Sequence, residues 1–321
     1  MVAVTQTVAY RQPSALDGDR LALRTAEGHP LFFAGALRAP RVSAVALAVL
    51  AGLAGTDFRR AGPEGGATHD PIVTSGADRL RAEALTACGG AYARLDLLPA
   101  ALDGEIRAHG SATVDVNPAL CAALSRVGAG DPLHLTVGPG GPGTAVEKRV
   151  PVPERWLRAL DAAAPAAAGM DLRAGLDGPA ATALLHRLPV HHGREVRWLL
   201  PAGRSVRMTT EPAPGAVCLA GAYRLAVLRP LLPMLRALRL YGPRAGVGSP
   251  PLAAGWELDL GPVRFAVLLS PGVECALSAP DPGTDLDRAG YDWSEAAWFR
   301  RELPYGGPRG DVPAAATAGT P

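Results

Sequence analysis

Residues 70–117 read DPIVTSGADRLRAEALTACGGAYARLDLLPAALDGEIRAHGSATVDVN, and this run, with polar residues set into apolar ones, decides the fold class. In AYARLDLL (91–98), Tyr92, Arg94, Asp96 and Leu98 alternate with Ala91, Ala93, Leu95 and Leu97, the period-two pattern of a half-buried strand. One face of that strand carries Tyr92, Arg94 and Asp96, and the other packs. Strand signals recur at 72–73 and 111–116, and Gly89-Gly90 marks a turn or a close backbone approach. Asn117-Pro118 then starts a helix. An N-cap side chain precedes proline at the first helical position, and Leu120, Cys121, Leu124 and Val127 recur at helical spacing until Gly128. That places Cys121 on a buried stripe, where a thiol behaves as a small apolar side chain.

Outward from this stretch the pattern stays mixed. Upstream, residues 21–24 and 31–33 read as short strands, and Ser43 as the N-cap of a helix that runs to Leu53 and ends at Gly55. That helix is apolar nearly all round, so it belongs in a core. Residues 59–68 read as a loop. Downstream, strands at 133–137 and 144–150 flank GPGGPG and suggest a hairpin. Pro153 opens a helix carrying Trp156, Leu157 and Leu160 that Pro165 breaks, and Pro179 opens another that Pro189 closes. VRWLL and SVRMTT are strand-like. Leu225, Leu228, Leu232 and Leu235 form an amphipathic stripe that Pro230 and Pro233 split into two short helices. Residues 256–260 and 263–269 alternate around Gly261-Pro262 as a hairpin. The expected fold is α+β, with mixed or antiparallel sheets, packed short helices and two loosely divided domains. These are an N-terminal α+β domain (1–150) and a second α+β domain (151–290), followed by a short helix and a disordered tail (291–321).

Composition narrows the function classes. At 321 residues with 48% hydrophobic and 19% charged residues, the chain buries a core without staples. Aromatics are 5%, so the core is Leu, Val and Ala. Lys plus Arg is 32 against 30 for Asp plus Glu, far from the basic footprint of a dedicated nucleic-acid binder. Lys148 is the only lysine, which with the abundance of Ala, Gly and Pro reads as the mark of a GC-rich coding sequence. The four cysteines form no CxC or CxxC pair and suit a reducing, cytoplasmic setting. The N-terminal residues lack the pattern of a secretory signal, and the most apolar early run (42–54) is shorter than the ~20 residues of a membrane span.

Blocks in order along the chain carry a family resemblance: DPIVTSGADRLR (70–81), CGGAYARLDLLPAALDGE (88–105), VDVNPAL (114–120), GDPLHLTVGP (130–139) and VEKRVPVPERWLR (146–158). PGAVCLAG (214–221), LYGP (240–243), AGWELDL (254–260) and RELPY (301–305) continue it. In this order the chain resembles the large SWIM zinc-finger proteins of actinobacteria. Those proteins close on CxC and then CxH, four ligands for one tetrahedral zinc. This chain contains neither, so the resemblance implies no cofactor here and zinc only in relatives that keep the motif. It implies a noncatalytic cytoplasmic binding or scaffold protein, with a protein partner such as a MoxR-type AAA ATPase or a von Willebrand-type protein.

Residue chemistry supplies the candidate sites. Asp78, Arg79, Arg81 and Glu83, with Tyr92, Arg94 and Asp96, form a partner-binding face or else surface ion pairs. Arg224, Arg229, Arg236 and Arg239 beside the leucine stripe read as a solvated helix face or else as phosphate contacts, the basis of a nucleic-acid-binding alternative. Cys88 before Gly89-Gly90 reads as a buried thiol at a turn or else as a nucleophile beside flexible backbone amides, the basis of an enzymatic one. His186, His191, His192 and Glu195 lie close in sequence but lack HExxH order, and read as a solvated loop rather than a metal site.

Overall fold

The computed structural model describes residues 4–59, 70–141, 145–152 and 154–277. Strands β1 (Val4–Tyr10), β2 (Ala15–Asp17), β3 (Arg20–Arg24) and β4 (Phe33–Leu37) lead into helix α1 (Pro40–Ala54). The strand expected at 31–33 thus begins only at Phe33. Helix α1 starts earlier than Ser43 because Pro40, with φ already fixed, takes its first position, and Ser43 is buried inside it; Gly55 ends it as expected. Strands β5 (Ile72–Ser75), β6 (Leu80–Leu85), β7 (Ala91–Leu97), β8 (Leu102–Ile106) and β9 (Gly110–Thr113) follow. Gly89 turns β6 into β7 at φ 71°, and Gly90 lies where an added Cβ would sit 3.3 Å from the Cys275 carbonyl oxygen. Helix α2 (Pro118–Leu124) is capped by Asn117, whose side chain accepts a hydrogen bond from Leu120 N at 2.9 Å. It stops short of Gly128, and Cys121 is half-buried rather than on the buried stripe.

Strands β10 (His134–Gly138) and β11 (Val146–Val152) form, but not as a hairpin. β10 lies between β3 and β4, and β11 pairs antiparallel with β1. A Gly/Pro-rich connection reverses the chain but does not choose the partner strand. Helix α3 (Glu154–Ala168) runs through Pro165 instead of ending there. Strand β12 (Asp171–Asp177) leads directly into α4 (Gly178–Arg187), N-capped by the Asp177 carboxylate. Then come β13 (Val196–Ala202), β14 (Ser205–Thr209) and β15 (Val217–Ala220). The leucine stripe is one 3-10 helix (Ala222–Met234) followed by β16 (Ala237–Gly242), in place of two helices. The closing hairpin, β17 (Ala254–Asp259) and β18 (Val263–Leu269), turns at Gly261 with φ 90°, as expected.

The architecture is α+β with antiparallel and mixed sheets. The largest sheet has eight strands in the order β12-β16-β17-β18-β7-β6-β5-β9, every neighbouring pair antiparallel. A five-stranded sheet runs β2-β3-β10-β4-β8, parallel only between β3 and β10, and β13 is flanked by β14 and β15 in a small third sheet. Residue 150 lies within β11, and the eight-stranded sheet takes four strands from each side of it. The position expected to divide two domains is therefore no break in that sheet. Helix α1 packs against the 3-10 helix, α2, β6 and β7. Its buried leucines share one core with the inner faces of the five- and eight-stranded sheets. The loop expected at 59–68 lies almost wholly, and the short helix and tail at 291–321 wholly, outside the described residues.

Candidate functional site

The two faces of the eight-stranded sheet differ. On the α1 side, the register aligns Leu238, Leu258, Phe265, Leu95 and Ala82 across five strands, and every one is buried. On the opposite face, one row reads Arg239, Glu257, Ala266, Arg94 and Glu83, and the next reads Asp259, Arg264, Asp96 and Arg81. Charge alternates in sign along both rows, the arrangement in which cross-strand pairs attract. A third row places Leu268 and Tyr92 beneath the α3 alanines Ala159, Ala163, Ala166 and Ala167.

This geometry corrects the half-buried reading of β7. All seven of its residues are buried, with Arg94 2% and Asp96 1% exposed. Alternating polarity ordinarily marks a water-facing side, but here the polar side is matched internally. The Asp96 carboxylate accepts from Arg81 Nε at 2.9 Å on one oxygen and from Arg94 Nε at 2.8 Å on the other. Tyr92 donates its hydroxyl to Glu83. Two strands away, Glu257 accepts from Arg239 at 2.7 Å and from the Tyr241 hydroxyl at 3.2 Å. Burial dominates the titration of Arg94, Glu257 and Tyr92. It lowers the Arg94 guanidinium below its ordinary value despite Asp96, raises the Glu257 carboxyl despite Arg239, and pushes the Tyr92 phenol well up, with the Glu83 charge adding to it.

Of the expected binding residues, Tyr92, Arg94, Asp96 and Arg81 thus meet on one sheet face. Asp78 and Arg79 lie apart on the turn joining β5 to β6, paired with each other at 2.9 Å, with Asp78 exposed. The sequence reading missed Glu257, Arg239 as a partner of that face, Asp259 and Arg264. The signal for Glu257, Asp259 and Arg264 was present in the alternation of WELD and VRF in the closing hairpin, and that for Arg239 in the alternation of ALRLYG.

The other candidates separate as follows. Arg224 is 1% exposed, and its guanidinium donates to the Ala220, Gly90 and Ser270 carbonyl oxygens and to Ser270 Oγ, so it faces no solvent. Burial among these neutral acceptors lowers its pKa to about 10. Arg229 and Arg236 are exposed, whereas Arg239 is held by Glu257. Cys88 is 3% exposed at the β6–β7 turn, 3.4 Å from the Thr86 hydroxyl. His192 meets the Phe58 carbonyl at 3.1 Å, while His186, His191 and Glu195 are exposed. Among the described residues, no three His, Cys, Asp or Glu side chains are placed to share a metal ion, and no helix is long and apolar enough to cross a membrane.

No protein-family model matches the chain, and no curated protein matches it in sequence. Among solved structures, that of proliferating cellular nuclear antigen from Entamoeba histolytica aligns at a TM-score of 0.42 and 10% identity, over 75% of this chain and 99% of that one.

Proposed function

We propose that this chain is a noncatalytic binding or scaffold protein, the body of a SWIM zinc-finger-type protein, working beside a protein partner such as a MoxR-type AAA ATPase or a von Willebrand-type protein. The observation that supports this reading is the internal matching of the sheet charges. Asp96, Glu257 and Glu83 each accept from a neighbouring strand, which is how a rigid platform is built rather than how an acid, base or nucleophile is presented to a substrate. With Tyr92, Arg94 and Asp96 buried, the residues of the expected face that meet a partner are Asp78 and, beside it, Arg79, at the tip of the β5–β6 hairpin.

The test is affinity purification of the tagged chain from its native cell under gentle conditions, with mass spectrometry of what is retained. The expected result is a MoxR-type ATPase that is enriched and is lost when Asp78→Arg and Arg79→Glu are combined, with the circular dichroism spectrum unchanged. A chain that purifies alone overturns the proposal. The nucleic-acid alternative keeps only Arg229 and Arg236 as exposed members of its arginine set; a salt-sensitive gel shift abolished by Arg229→Ala with Arg236→Ala would favour it instead.

A further inference from the structure

At 31 of its 32 basic positions the chain uses arginine, and the one amine, Lys148, is clamped between two buried carboxylates. Its Nζ lies 2.6 Å from Asp115 Oδ1, 2.7 Å from Asp70 Oδ1 and 3.0 Å from the Val116 carbonyl oxygen. Asp115 is 1% and Asp70 5% exposed at the side chain. The other Asp115 oxygen, Oδ2, accepts from Ser14 N at 2.6 Å and from Asn117 Nδ2 at 3.0 Å. Asp70 is fixed in turn by the Tyr10 hydroxyl at 2.7 Å, with Tyr10 itself fully buried.

We propose that this cluster is a self-modification site, in which Lys148 and Asp115 condense to an intramolecular amide that staples β11 to the segment between β9 and α2. An ion pair alone is served by arginine, which the chain uses everywhere else, whereas a guanidinium is no nucleophile and an amine is. The parts of an acyl transfer are in place. Lys148 Nζ bonds to Asp115 Cγ, and the bond from Cγ to Oδ1 breaks. Oδ2, where negative charge gathers in the tetrahedral intermediate, is already held by the Ser14 amide and the Asn117 side chain. Asp70 relays protons from Nζ to Oδ1 and ends as it began. Two ammonium protons leave with Oδ1 as water and the third stays on the amide nitrogen, so the positive and negative charges cancel and no oxidant or cofactor is consumed. Groups held in contact in this way react as if at ~10⁵–10⁸ M, which offsets the low reactivity of a carboxylate.

The purified full chain, fully denatured, gives the answer by intact mass and by amine labelling. The expected mass is one water below that of the sequence, and because Lys148 is the only lysine, an amine reagent should then modify the N-terminus alone. Lys148→Arg should restore the sequence mass, as should Asp70→Asn, which keeps the shape of the site but cannot relay the proton. A wild-type chain at full mass that takes a second label overturns the proposal and leaves an ion pair. A water loss with both amines still labelled marks dehydration elsewhere, and overturns it equally.

Discussion

Asp96→Ala tests whether the charge rows stabilise the sheet. The carboxylate is 1% exposed and accepts from two buried guanidiniums at 2.9 and 2.8 Å. Breaking a buried ion pair by removing one member destabilises by ~3–5 kcal/mol, and two hydrogen bonds to charged groups, at ~1.5–3 kcal/mol each, give a similar sum. A domain is stable by ~5–15 kcal/mol, so the loss is a large share of the total. With a urea m-value of about 3 kcal/mol per M, the midpoint should fall by ~1–1.7 M at unchanged slope. Asp96→Asn, which keeps one acceptor oxygen, should fall less. Arg81→Met, Arg94→Met and Asp96→Leu combined should recover most of the loss, because apolar residues of similar volume replace buried ion pairs at little cost. The assay is equilibrium urea unfolding followed by tryptophan fluorescence and circular dichroism together. A loss below ~1 kcal/mol for Asp96→Ala, the range of exposed pairs, would refute the reasoning.

Three further outcomes concern a glycine contact, the thiols and a buried arginine. Gly178→Ala should destabilise by ~1–3 kcal/mol and lower the melting temperature by several degrees in calorimetry, because its Cβ would sit 2.4 Å from the Leu235 carbonyl oxygen, a backbone atom that cannot rotate away. Native thiol labelling followed by peptide mass spectrometry should modify exposed Cys275 first and half-buried Cys121 more slowly; Cys88 and Cys218, each 3% exposed, should react only on unfolding. Fast labelling of Cys88 would instead support the enzymatic alternative. Because burial lowers Arg224 to about 10, the unfolded chain binds more protons than the folded one from that pH up to the ordinary guanidinium value. The stability of wild type relative to Arg224→Met should therefore rise across that window in alkaline urea titrations, and a flat difference would show that the guanidinium is hydrated.

Features with a local cause were legible in the sequence. Asn117-Pro118 caps α2, and Gly261-Pro262 turns the closing hairpin, because both act through their own backbone. Features chosen by distant partners were not. LRAEAL, with its charges and alanines, carries no strand signal, yet β6 is buried because β5 and β7 pair on either side of it. GPGGPG announces a reversal, but whether β10 meets β11 depends on β3 and β4, more than a hundred residues upstream of β11. At the site, the alternation in β7 gave the correct face and the wrong environment, since nothing within 91–97 reveals that Arg81 and Glu83 on one side and the β17–β18 hairpin on the other complete the charge rows. Arg224 looked solvated for the same reason: of its acceptors only Ala220 is local, while Gly90 and Ser270 are remote in sequence.

The place of β7 also sets the order in which the chain can fold. Its neighbour β6 is local, but β18 spans residues 263–269, so the second edge of this fully buried strand is completed only after some 170 further residues are made. At ribosomal rates of ~5–20 residues per second, that edge stays open for on the order of ten seconds or more, with Tyr92, Arg94 and Asp96 lacking their β18 neighbours. An open edge carrying Arg94 and Asp96 is a poor template for another chain's strand, whereas an apolar one would invite pairing. The charges that match across the finished sheet therefore also guard the nascent chain against aggregation while it waits for its C-terminal strands.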